Sequence, residues 1–190
     1  MRKRRTTKSI DVGAVLAERE LVTISGERVR VPDADRHVHL QFRRFAGCPF
    51  CNLHLRSVAQ RHDDIVAAGI REVVVFHSSV AELLSQQGDM PFAVVADPDK
   101  RLYTEFGVES SPRAVLDPRA WLPAIRGVWR KLRNSGLRVP DLQGGLLGLP
   151  ADFLIASDGH VIACKYGVHA YDQWPVDELL GLARGQQRSR

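Results

Sequence analysis

A strand-to-helix junction carrying two cysteines restricts this chain more than any other feature. Val38, Leu40 and Phe42 alternate with His39, Gln41 and Arg43, the period-2 pattern of a strand with one buried face. The run leads into Gly47-Cys48-Pro49-Phe50-Cys51. Beyond it Leu55, Val58, Ala59, His62, Ile65 and Val66 recur at helical spacing until Gly69 stops them. Cys-x-x-Cys at the first turn of a helix lets two sulfurs meet without large backbone movement. The first sulfur lies beside unsatisfied N–H groups and the positive end of the helix dipole, which favours thiolate over thiol. Pro49 suits the first turn, where its missing N–H costs nothing, and Gly47 permits an unusual backbone angle at the junction. Arg43, Arg44, His54 and Arg56 add positive charge, with no acidic residue from Val38 to Gln60, and nearby cations also favour a thiolate.

A Cys-x-x-Cys pair also serves as half of a structural zinc site, which needs four ligands in matched pairs. The chain has three cysteines, so only Cys164 remains, and no spaced His pair accompanies it. No metal is expected. An odd cysteine count without a secretory signal argues against a disulfide-stapled scaffold. His54, on the helix after the pair, reads as a partly exposed helical residue. Cys164 reads as a buried or half-buried free thiol, with a third redox partner as the alternative.

The rest of the chain alternates strands and helices. A short helix is expected from Val12 to Leu21, then a polar stretch around Gly26. Val73 to Phe76 reads as a strand buried on both faces, as in a parallel sheet. Ser79 caps a helix ending at Gly88, Phe92 to Val95 is a strand, and Asp97-Pro98 starts a helix that runs to Phe106. Residues 110–148 break the alternation with a helical insertion, on which Trp121 and Trp129 share a face suited to core or dimer packing. Phe153 to Ile155, Ser157-Asp158-Gly159 and Val161 to Ala163 read as a hairpin, and a last helix follows Pro175. The order predicts an α/β fold, a central mixed sheet flanked by helices with a helical insertion before the late hairpin. It divides into a basic tail and extension (1–35), one domain (36–184) and a basic tail (185–190).

The net charge of +5 sits largely in those tails, as Arg2, Lys3, Arg4, Arg5 and Lys8 at one end and Arg184, Arg188 and Arg190 at the other. Such arms solubilise or touch polyanions, but no zinc finger or RNA-recognition motif is present, so no specific nucleic-acid partner is expected. No apolar run is long enough to span a membrane, and no apolar stretch follows the basic start, which predicts a cytoplasmic protein without a signal peptide. Gly144-Gly145-Leu146-Leu147-Gly148 lacks the setting and the Lys of a phosphate loop.

The strand–GCPFC–helix unit, the downstream Gly148-Leu149-Pro150-Ala151-Asp152-Phe153-Leu154-Ile155 and the Asp158-Gly159 turn together resemble the thioredoxin superfamily. Ala96-Asp97-Pro98-Asp99-Lys100 through Tyr103 and Phe106-Gly107-Val108 resemble the corresponding peroxiredoxin segment. As a whole the chain is similar to peroxiredoxin-like proteins of the AhpC/TSA group over residues 36–184. The resemblance implies a thioredoxin-like fold and redox chemistry at Cys48 and Cys51. It also implies a cis Leu149–Pro150 bond beside the pair, and substrate contacts from Gly47, Pro49, Phe50 and Leu149. In thioredoxin-like proteins the first cysteine attacks and the second resolves; the peroxiredoxin pattern puts the attacking sulfur at Cys51. The peroxiredoxin Pro a few residues upstream is absent, Arg44 standing in its place. The Arg expected before the late strand is absent too, its place held by Pro150. These departures favour disulfide exchange over direct peroxide reduction. The expected activity is therefore a thiol–disulfide oxidoreductase with a CPFC dithiol. Alternatives are a thiol peroxidase and a non-catalytic binding module on the same fold. No cofactor is expected; the partners to be considered are a protein disulfide or peroxide, a thiol reductant and a second copy in a homodimer. Local chemistry makes Cys48 the more exposed and more acidic thiol, with burial raising that of Cys51.

Overall fold

The computed structural model describes residues 9–108, 149–169 and 171–187. In chain order the elements are β1 (Arg19–Val22), β2 (Arg28–Val31), β3 (His37–Arg43), α1 (Pro49–Gln60), α2 (His62–Ala67) and β4 (Ile70–Phe76). They continue as α3 (Val80–Gln87), β5 (Ala93–Ala96), α4 (Arg101–Glu105), β6 (Ala151–Ile155), β7 (Val161–Tyr166) and α5 (Val176–Gln187). Five strands form a mixed sheet in the order β5-β4-β3-β6-β7. β3 pairs in parallel with β4 and antiparallel with β6, and so joins the parallel half to the terminal hairpin. The tight turn of that hairpin depends on Gly159, whose φ of +90° suits glycine.

β3 is buried on both faces, not one. Val38, Leu40 and Phe42 face a core that includes Val73, Val75, Phe106 and Phe153. There the Phe42 ring meets Tyr103 at 5.0 Å and Phe106 at 5.1 Å. On the other face, α1, α2, α3 and α5 contribute Leu55, Val58, Ile65, Leu83 and Leu179 over Val74, Phe76 and Leu154. His39, Gln41 and Arg43 point to this second face and are as buried as the apolar residues. Their alternation with apolar residues marks two different buried environments.

The helix expected from Val12 to Leu21 is absent. Residues 19–31 instead form the β1–β2 hairpin, turned near Gly26 at φ +86°. Alternate positions bury: Leu21, Val29 and Val31 join the Phe42 core, while Arg28 reaches across to Glu20. Four-residue strands offer too few alternations to stand out against helical spacing. The hairpin and the residues before it cover sheet edges, through Ile24 N–H to Val94 O (2.8 Å) at β5 and Gly13 N–H to Val161 O (2.8 Å) at β7.

Two helices differ from the sequence reading. The expected helix through Val66 divides at Arg61 into α1 and α2. α4 begins only at Arg101, because Lys100 is left-handed at φ 56°. Asp97 still serves its N-terminus, accepting from the N–H groups of Arg101 (2.9 Å) and Leu102 (2.8 Å). The Ser79 cap forms as expected, reciprocated by Glu82. The 110–148 insertion, with Trp121, Trp129 and the Gly144–Gly148 stretch, lies outside the described residues, as do most of the terminal arginines and lysines. Among the described residues no helix is long and apolar enough to cross a membrane.

Candidate active site

Cys48 is the N-cap of α1, with φ −69° and ψ 112°, and Pro49 opens the helix. Cys51 lies in the first turn, and both cysteines are free thiols with no exposed surface. Their side chains are hydrogen-bonded to each other. That bond, followed by burial, pushes the Cys51 thiol well above its ordinary range; the Arg44 backbone N–H and the Arg43 charge pull the other way. Cys48 is thus no more exposed than Cys51, and its side chain makes no capping hydrogen bond to the helix. The expectation of a solvent-facing sulfur on the helix N–H groups is corrected: the two sulfurs face one another inside the protein.

The junction is tied down by neighbouring loops. Ala46 N–H donates to Ser78 Oγ (3.1 Å), and Gln87 Nε2 donates to Ala46 O (3.2 Å) and Asn52 Oδ1 (2.6 Å). Gly47 is not among the glycines with positive φ, so no special backbone angle explains it. The Tyr103 hydroxyl lies against the carbonyls of Arg43 and Val75. Burial raises this phenol, and the nearby Cys51 raises it further.

Pro150 is buried and Leu149 half-buried at the start of β6. The Leu149–Pro150 bond is not cis; the cis bond among the described residues is Val31–Pro32. Pro150 instead continues the β6–β7 ladder, its carbonyl accepting from Gly167 N–H (2.9 Å). Extended pairing of that kind fits a trans bond entering a strand. The β3–β6 register matches Phe42 with Ala151, which puts Pro150 at the same sheet end as the cysteine junction. Cys164 lies on β7 opposite Phe153, half-buried, its thiol raised by burial and by Asp11.

Beneath α1 lies a closed ring of polar side chains that the sequence reading missed. Arg43 donates to Gln41 Oε1, and Gln41 Nε2 donates to Glu72 Oε2. His39 Nδ1 is 2.9 Å from Glu72, and His39 Nε2 is 3.2 Å from Asp152 Oδ1. Arg43 closes the ring at 2.7 Å from the same Asp152 oxygen. All five side chains are at most 1% exposed. Both His39 nitrogens face carboxylates, which only accept, so both donate and the ring is an imidazolium. Burial lowers the His39 pKa, yet Glu72 and Asp152 outweigh this and raise it to about 9. Asp152, despite burial, is held well below the usual carboxylate range by Arg43 and His39. The charges Arg43⁺, His39⁺, Asp152⁻ and Glu72⁻ balance, as buried charges must.

His54 is buried rather than partly exposed. Burial and the Arg43 charge push it down to about 3, so it is neutral and adds no cation to the cysteines. A partial signal for the ring lay in Glu72 and Asp152, acidic residues on mostly apolar strands. Among the described residues no group of three or more His, Cys, Asp or Glu side chains is arranged to hold a metal ion.

A mixed sheet whose central strand ends in Cys-x-x-Cys at a helix start defines a thioredoxin-fold protein of the peroxiredoxin and thiol-oxidoreductase kind. The sequence pattern of the AhpC/TSA antioxidant enzyme family matches residues 54–169, more than half of the chain, and the chain belongs to that family. The match begins at His54, beyond the cysteine pair. Peroxiredoxin-like 2C of Takifugu rubripes is 21% identical over 154 residues, 74% of this chain and 66% of that protein. The chain therefore spans slightly less than two thirds of that relative. Peroxidoxin BcpB of Mycobacterium tuberculosis superposes with a TM-score of 0.61 at 17% identity, covering 93% of this chain and 97% of that one. Peroxiredoxin 6 of Arenicola marina gives 0.67 at 18% identity, covering 95% and 75%.

Proposed function

We propose that the protein is a thiol–disulfide oxidoreductase whose working group is the Cys48–Cys51 dithiol. The observation that carries this reading is the placement of two wholly buried free cysteines at the N-cap and in the first turn of α1. Cysteines so placed close into a disulfide with little backbone movement. The Cys48 thiolate attacks a substrate disulfide, forming Cys48–S–S–R and expelling the other half as a thiol. Cys51, losing its proton, then attacks Cys48; the Cys48–R bond breaks, RSH leaves, and the pair is oxidised by two electrons. A cellular thiol donor regenerates it. Gly47, Pro49, Phe50, Leu149 and Pro150, at or near the same sheet end, are the proposed substrate-contacting positions.

One observation favours a second reading. Both sulfurs are fully buried, which suits a small oxidant better than a bulky one. In that case a thiolate attacks a peroxide O–O bond and becomes a sulfenic acid with release of water or alcohol. The other thiol then condenses with it, releasing water. Stopped-flow mixing of the reduced protein with hydrogen peroxide, and separately with a protein disulfide, ranks the two. Mass spectrometry after oxidation and alkylation should find Cys164 labelled and Cys48 and Cys51 protected. Labelling of all three refutes both enzyme readings and leaves a binding module on this fold.

A further inference from the structure

Gln87, the last residue of α3, is 1% exposed and grips the cysteine junction on both flanks. Its Nε2 donates to Ala46 O (3.2 Å), two residues before Cys48, and to Asn52 Oδ1 (2.6 Å), directly after Cys51. The Ala46 carbonyl only accepts, so the nitrogen of the amide must lie on this side. One buried side chain therefore clips the approach loop to the first turn of α1. The loop after β4 holds the same approach: Ser78 Oγ accepts from Ala46 N–H (3.1 Å), and His77 N–H donates to Arg44 O (3.4 Å). α3 is itself anchored, because Leu83 packs with Ala46, Leu55, Val74 and Phe76.

The clip contributes little to stability. Among the described residues nothing donates to Gln87 Oε1, although that atom is buried. An unsatisfied buried acceptor costs about 1–3 kcal/mol, which offsets most of the net ~0.5–1.5 kcal/mol from each bond that Nε2 makes. What the two bonds do is join the segments that must hold still for two sulfurs to bond. We propose that Gln87 is a positioning residue for the Cys48–Cys51 pair: its bonds to Ala46 and Asn52 hold the two cysteine-bearing segments together and so favour the disulfide over the dithiol. The proposal rests on the reading of Cys48 and Cys51 as a redox pair. In the dithiol only hydrogen bonds and packing restrain the Ala46–Cys48 segment against α1, whereas in the disulfide the S–S bond does so too. Releasing the clip therefore frees the dithiol more than the disulfide. The dithiol gains conformational entropy, and oxidation becomes less favourable.

The test equilibrates the full chain with glutathione buffers. One glutathione disulfide takes two electrons from the Cys48 and Cys51 thiols and leaves as two glutathione thiols, with their protons. The fraction of chains with Cys48 and Cys51 joined is counted by mass spectrometry after alkylation. Gln87→Met keeps the length of the side chain and removes both the donor and the unpaired acceptor. It should shift the equilibrium about tenfold toward the dithiol, which is ~30 mV for two electrons. Asn52→Ala, at a half-buried position, removes one arm and should shift it about threefold the same way. The double variant should match Gln87→Met alone, since the Asn52 arm then has no donor to lose. Thermal midpoints of the reduced and oxidised forms separate positioning from architecture: a merely structural role lowers both equally and leaves the equilibrium in place. A shift by Gln87→Met of less than about twofold, a shift toward the disulfide, or additive effects in the double variant overturn the proposal. If Gln87→Met does not fold, Asn52→Ala decides alone: a shift toward the dithiol beyond about twofold supports the proposal, and any other result refutes it. An unsubstituted chain that forms no Cys48–Cys51 disulfide in these buffers removes the redox reading and the proposal together. A disulfide that forms equally well in all variants removes the proposal alone.

Discussion

At the residue scale the unusual group is His39, an imidazolium clamped between Glu72 and Asp152 in the core. Its folded value of about 9 lies above the ordinary 6.5. The stability it contributes is fully present below pH 6.5 and is lost as pH rises through about 9. The loss should be on the order of 3 kcal/mol. Asp152 has the opposite sign. Its value is depressed, so its contribution is present above the ordinary carboxylate range and disappears as pH falls below it. Urea denaturation midpoints between neutral pH and pH 10 should decline, and His39→Gln should flatten that decline. A flat profile in the unsubstituted chain would show that His39 carries no charge when folded. The pair of cysteines was legible in the sequence from spacing alone. The ring was not, because a polar residue alternating with apolar ones reads as a solvent-facing position. Only the helix layer over β3 shows that this face is closed too.

At the element scale, the start of β6 matters most to the site. Gly167 packs so tightly against it that an added Cβ would lie 2.8 Å from the Pro150 ring and 2.9 Å from its carbonyl oxygen. Gly167→Ala should therefore displace Pro150 or strain β7, costing about 1–3 kcal/mol. A lowered thermal midpoint with slower turnover at the cysteines is the expected result. Ser79→Ala, at the capped end of α3 opposite Gln87, should cost about 1 kcal/mol and leave turnover unchanged. That cap was readable because Ser79 and Glu82 have a fixed spacing. The trans Leu149–Pro150 bond was not, since no local pattern separates a strand-opening proline from a cis one. The same holds for α4, where the left-handed Lys100 moves the start to Arg101 while Asp97 accepts from its first N–H groups.

At the scale of the whole molecule, the sheet order follows from the alternation of elements, and the sequence shows it well after Arg36. The N-terminal segment was misread, since its two short strands carry meaning only against the aromatic core they cover. Leu21, Val29 and Val31 are buried there. A chain beginning at Asp33 should lose several kcal/mol, at about 1.5–3 kcal/mol for each side chain uncovered. A chain lacking only residues 1–8 serves as the comparison, and equal thermal midpoints for the two would show that the hairpin is dispensable.

The polar ring also has an order of assembly written into it. His39 meets Glu72 across 33 residues of chain, and Gln41 meets Glu72 across 31. Asp152 must come from 109 residues beyond Arg43 and 113 beyond His39. Loop closure favours the nearer contacts, so during refolding β3 and β4 can join while the Arg43 cation still lacks its carboxylate partner. The late hairpin then completes the charge balance in a single docking event. A nascent chain released before β6 would hold an uncompensated guanidinium against apolar helices, and that conflict keeps its half-built sheet from persisting without the hairpin.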